Sequence, residues 1–136
     1  MALPRIDVPI YELVVPSTDE KIKYRPFLVK EEKLLLIAME SGKNEDILRG
    51  VQDIVDSCTF NKLKLGNMPM FDIEYIFLQI RSKAVGEVST LRVLCQDDKE
   101  TYAKVKVDLT KIEVQVDDAH TNKIELSDVM GVIMKY

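Results

Sequence analysis

The apolar residues of this chain recur at two different periods, and the switch between them near Gly86 restricts the folds open to it. From Phe27 to Ala84 they fall three and four residues apart, whereas from Glu87 onward apolar and polar residues alternate. A period of 3.6 presents one face of a helix, and a period of 2 presents one face of a strand. Helices and strands are therefore segregated along the chain, which is the pattern of an α+β domain rather than of repeated βαβ units.

Before the first helix, Ile6 to Val15 is rich in β-branched and apolar residues, with Pro9 favouring an edge strand. Pro16-Ser17-Thr18-Asp19-Glu20 has the composition of a turn, and Lys21 to Arg25 alternates with Ile22 and Tyr24 on one face. This predicts a hairpin that stops at Pro26. The first helix spans Phe27 to Ser41, with Leu34, Leu35, Ile37, Ala38 and Met39 as a broad apolar face and Gly42 at its end. In the second, Asn44 is placed as the N-cap, and Ile47, Leu48, Val51, Ile54, Val55 and Cys58 form a one-sided stripe.

A loop from Thr59 to Pro69 leads to the third helix, about Met70 to Ala84. Its main stripe is Met70, Ile73, Phe77, Ile80 and Ala84, while Phe71, Tyr75, Ile76 and Leu78 cover much of the remaining surface. A helix that is apolar nearly all round lies at the centre of its domain or docks onto a partner. Beyond it, Ser89–Cys95, Tyr102–Leu109, Ile112–Val116, Ile124–Leu126 and Val129–Tyr136 read as antiparallel strands with one wet face. The expected architecture is an N-terminal β-hairpin, three helices and a C-terminal antiparallel β-meander, in one domain over residues 1–136.

Composition narrows the function. With 136 residues, 46 % apolar and 31 % charged, the chain can bury a core without a disulfide or a metal. The net charge is −4, and its densest basic stretch, Lys21-Ile22-Lys23-Tyr24-Arg25, is flanked by acidic residues. That is not the concentrated basic footprint of a nucleic-acid-binding module, although such a module remains one alternative. Cys58 and Cys95 are far apart and suit a reducing cytosol. Met1 to Ile10 lacks the apolar region of a signal peptide, and no run approaches the roughly 20 apolar residues of a membrane span.

Catalytic chemistry finds little to stand on. His120, the single histidine, lies in a polar turn, and the sequence does not indicate the positioned group that a general base needs. Cys95 precedes a Gln-Asp-Asp turn as the first arm of a zinc ribbon would, but no second close cysteine follows; both cysteines read as small buried hydrophobes. The pairs Asp97-Asp98 and Asp117-Asp118 supply the other alternative, a small metal-dependent hydrolase, yet adjacent residues point apart and no calcium-loop spacing accompanies them. The five glycines form no phosphate cradle. No catalytic, cofactor or metal site is expected.

Protein binding is the better expectation. Arg25, Pro26 and Phe27 combine a strand stop with two residue types common at interface hot spots, though a plain strand-to-helix corner explains them equally. On the third helix, Phe71, Tyr75 and Leu78 are candidate contact residues, and Asp72, Glu74 and Arg81 pair with one another or with another chain.

Three stretches, taken together, resemble one family. They are Pro16-Ser17-Thr18 with Lys21 and Tyr24 to Lys33; Phe71 to Leu78 with Arg81 to Glu87; and Gly131-Val132-Ile133-Met134-Lys135-Tyr136. In this order they are similar to the baseplate hub assembly proteins of T-even-type contractile-tailed phages. The resemblance implies a factor that builds the baseplate hub through protein contacts, as chaperone or hub component. Other hub proteins would be its partners, with self-association as a further option, in the host cytoplasm and in the virion baseplate. It implies no cofactor and no active site. Family members tend to run past the position of Tyr136, so a C-terminal truncation or a shorter relative is expected. Relatives with further cysteines near Cys95 leave metal binding unsupported here.

Overall fold

The computed structural model describes residues 7–134, so the Ile6 end of the first expected strand and Lys135-Tyr136 of the last lie outside it. The order of elements is β1 (Tyr11–Val14), β2 (Lys21–Tyr24), α1 (Val29–Glu40), α2 (Asn44–Cys58), α3 (Met70–Val85), β3 (Val88–Leu94), β4 (Tyr102–Asp108), β5 (Lys123–Ser127) and β6 (Met130–Ile133). A short 3-10 turn precedes α3 at Leu65–Asn67, and another follows β4 at Leu109–Lys111. The fold class is α+β, with the hairpin, the three helices and the antiparallel strands in the expected order.

The strands pair antiparallel as β1–β2, β3–β4 and β5–β6, each a separate two-stranded sheet. The C-terminal strands therefore form two hairpins. Ile112–Val116, expected to extend the alternating pattern, is not a strand. The cause is local: the Asp108 carboxylate accepts from the backbone N–H of Thr110 at 3.0 Å and from its hydroxyl at 2.6 Å, which turns the chain out of the ladder.

The core is built where β1–β2, α2 and α3 meet. In the first hairpin Tyr11 faces Tyr24 and Leu13 faces Ile22, so period 2 puts Leu13, Val15, Ile22 and Tyr24 on the inner face. From α2 come Ile54, Val55 and Cys58, and from α3 Ile73, Ile76 and Ile80. Ile76 falls outside the expected stripe yet is fully buried, because α3 is covered on more than one side.

The helix ends follow from backbone chemistry. Gly42 ends α1 at φ +67°, the left-handed region that costs glycine least. Asn44 is the first residue of α2 rather than its cap; Lys43 occupies the cap position without a side-chain bond. Gly50, inside α2, is explained by close approach: a Cβ there would lie 3.2 Å from that of Ala38 on α1.

Candidate functional site

The Arg25–Phe27 corner is held from inside. Arg25 sits where β2 ends, and its N–H donates to the carbonyl of Cys58 at the end of α2, 3.0 Å away. Its guanidinium donates to Glu31 at 2.8 Å, to Ser57 at 3.1 Å and to the Pro26 carbonyl at 3.0 Å. Glu31, only 2 % exposed, also accepts from the N–H of Leu28 at 2.8 Å, one of the orphan donors at the start of α1. Burial alone would raise the Glu31 carboxyl, but the Arg25 and Leu28 bonds and the Arg25 charge outweigh it and hold the group below its usual range. Pro26 is buried and Phe27 half-buried against the core.

The α3 residues divide by depth. Asp72 is wholly enclosed and accepts from the backbone N–H of Ser17 at 3.2 Å and from its hydroxyl. Glu74 is exposed, and Phe71, Tyr75, Leu78 and Arg81 are half-buried. No ion pair joins Asp72, Glu74 and Arg81 among the described residues. Leu78 and Glu74 line an apolar groove between α2 and α3 together with Leu48, Val51, Met70 and Phe77. Phe71 lines a second cleft with Pro16, Val114, Val116 and His120.

The turn carboxylates act on the backbone. Asp98 accepts from the Thr101 hydroxyl and from the N–H groups of Thr101 and Glu100, each of these two at 3.1 Å, which together hold it down to about 2. Asp117 accepts from the N–H of Ala119 at 2.9 Å. Among the described residues no group of three or more His, Cys, Asp or Glu has the geometry to hold a metal ion. Cys58 is buried, which pushes its thiol up to about 11.

Apolar surface is concentrated where the sequence pattern pointed to core. On α1, Leu34, Leu36, Ile37 and Met39 are exposed, leaving Leu35 and Ala38 as the part turned inward. From Val88 to Met134 the only buried residue is Leu109, which seals the base of the β3–β4 hairpin while its N–H donates to the Glu87 carbonyl at 2.8 Å. On one face of that hairpin the register aligns Leu91 with Val105 and Val93 with Ala103. Leu91 and Val93 are each 48 % exposed. The β5–β6 hairpin exposes Ile124, Leu126, Met130 and Ile133, and Val129 at its tip is 97 % exposed. These β-arms were not among the expected contact residues. Alternation does announce an apolar face, but not whether the same chain covers it.

A small α+β core that carries two hairpins with exposed apolar faces defines a class, a small domain with apolar surface it does not bury itself. The chain belongs to the family described as T4 bacteriophage base plate protein, whose profile it matches over residues 8–136. It is a T4-type baseplate protein, and the matched span includes the core and both arms. Comparison with curated proteins and with solved structures returned no match. Among the described residues no helix is long and apolar enough to cross a membrane.

Proposed function

We propose that this baseplate protein is a non-enzymatic, protein-binding factor in the assembly of the baseplate hub, acting through contacts made by its uncovered apolar surface. The observation that carries the reading is the state of residues 88–134, in which Leu109 alone is buried. An isolated two-stranded hairpin is at best marginally stable in water, and its stability rises when a further layer covers its apolar face. Two such hairpins on one small body are supported by a second protein. Large exposed apolar patches on soluble proteins mark binding faces.

The groove between α2 and α3 extends the proposed surface to the third helix, through Leu78, Glu74 and Met70. Phe71, Tyr75 and Arg81, half-buried on the same helix, are proposed as further contacts. Arg25, Pro26 and Phe27 support the corner from which α1 departs, and Asp72 anchors the start of α3.

The test is co-expression of the full chain with each hub protein of the same phage, followed by co-purification. Stable complex formation with at least one is expected. A well-folded chain that binds none of them removes the proposal. Mass spectrometry of purified particles then separates the two fates: a hub component is retained, whereas a chaperone acts in the host cytoplasm and is absent from the virion.

A further inference from the structure

We infer that the β3–β4 arm seats in a cleft of a different protein, with an apolar wall against one face of the arm and carboxylates against the other, an inference that rests on the protein-binding reading above. The arm has two unlike faces, and both are open. One carries Leu91, Val93, Ala103 and Val105, all exposed. The other carries Arg92, Lys104 and Lys106, with Arg92 directly opposite Lys104 across the ladder and Lys106 opposite Thr90.

Like charges directly opposite in an antiparallel pair destabilise it. Among the described residues no carboxylate forms an ion pair with any of these three cations. Asp108, the acidic residue at the base of the same face, is already engaged by Thr110 and by Lys111 at 3.8 Å. Arg92 instead lies over the ring of Tyr102, 5.0 Å from its centroid, which disperses part of its charge but neutralises none. Within the described residues nothing offers these cations a counter-charge, which leaves them available to the carboxylates of a partner.

Three features specify the occupant. The apolar face of the same arm fits the core of a protein interface, around which complementary charge gives rate and specificity. The tip carries Asp97, Asp98 and Glu100 against Lys99, which repels a polyanion running along the arm and disfavours nucleic acid. A second copy docking by the cationic face would set cation against cation. One docking by the apolar face would leave the cations of both copies turned away from the interface and supply no carboxylate to them. What remains is a protein of another sequence whose docking cleft sets apolar side chains against one face of the arm and carboxylates against the other.

The experiment uses the full chain with each other baseplate protein of the same phage, co-expressed singly, and the dissociation constant of any pair that forms. The triple variant Arg92→Glu, Lys104→Glu, Lys106→Glu is expected to weaken the complex at least tenfold at low salt, and raising the salt should weaken only the wild-type complex. Lys104→Glu alone, which converts the like-charge pair into an opposite-charge one, should fold at least as well and still weaken binding. Reversing Lys30 and Lys33 on α1 should leave affinity unchanged. A complex indifferent to the arm reversals overturns the inference while the protein-binding reading stands. Absence of any complex overturns both. Tight binding of single-stranded dT20 that is lost in the triple variant overturns the inference in favour of nucleic acid.

Discussion

Ser17, in the turn between β1 and β2, and Asp72, in the first turn of α3, lie 55 residues apart in sequence and share one carboxylate through two donors. The backbone N–H and the hydroxyl of Ser17 both point at Asp72, which is fully enclosed. The bond fixes the tip of the hairpin to the start of the central helix, and the negative charge also suits the positive end of α3.

Asp72→Ala is expected to destabilise the chain by about 1–3 kcal/mol, since it removes the acceptor of two donors and a favourable helix-end charge. Ser17→Ala retains the backbone donor and should cost less, about 1 kcal/mol. Urea unfolding of the two variants measures both. Equal stability of Asp72→Ala and wild type would show that the link contributes nothing.

The Arg25–Glu31 pair, at 2.8 Å and almost free of solvent, predicts a larger effect. Arg25→Ala leaves the Glu31 carboxylate buried without its cation, at a cost of about 3–5 kcal/mol. The pH dependence has a definite sign. Because Glu31 is held below its usual value of 4.5, its contribution is fully present above that pH and is lost as the pH falls through the depressed value of the folded chain. Glu31→Gln should therefore be less stable than wild type at neutral pH, with the deficit shrinking in acid. Thermal melts between neutral pH and about pH 3 decide this.

The two cysteines should differ in reactivity. Thiolate is the reactive form, and burial raises the Cys58 thiol to about 11 while enclosing it, whereas Cys95 is half-exposed. A thiol reagent at pH 8 is expected to modify one group in the native chain and two in denaturant. Cys95→Ser should abolish the native reaction. Rapid native modification of Cys58 would contradict its enclosure.

Core and arm residues of similar size should separate stability from binding. Ile76 is completely buried, so Ile76→Ala is expected to cost about 2–5 kcal/mol. Val129→Ser, at the tip of β5–β6, should change stability by less than about 0.5 kcal/mol. Denaturant titrations check the contrast, and co-purification with baseplate partners shows whether the tip takes part in binding.

Element type was legible in the sequence because it depends on local spacing. The periods of 3.6 and 2 marked α2, α3, the first hairpin and the later strands, and Gly42 and Gly86 stand at the ends of their helices. The near-continuous apolar cover of α3 was also readable, as a helix either central in its domain or docked onto a partner, and Ile73, Ile76 and Ile80 are buried in the core. The class of the protein was legible through the three quoted stretches, because they are short runs of neighbouring residues.

Contacts between distant residues were not legible. Arg25 reads as a contact residue or a corner until Glu31, Ser57 and the carbonyl of Cys58 are placed around it. Asp72 reads as a charge that pairs along α3 or with another chain until Ser17 arrives from the other side of the core. The same limit applies to the arms: alternation makes one face of β3–β4 apolar, but covering that face depends on what the rest of the chain can reach. Only the tertiary structure decides this, because β1–β2, α2 and α3 bury their core residues against one another, and of residues 88–134 they enclose Leu109 alone.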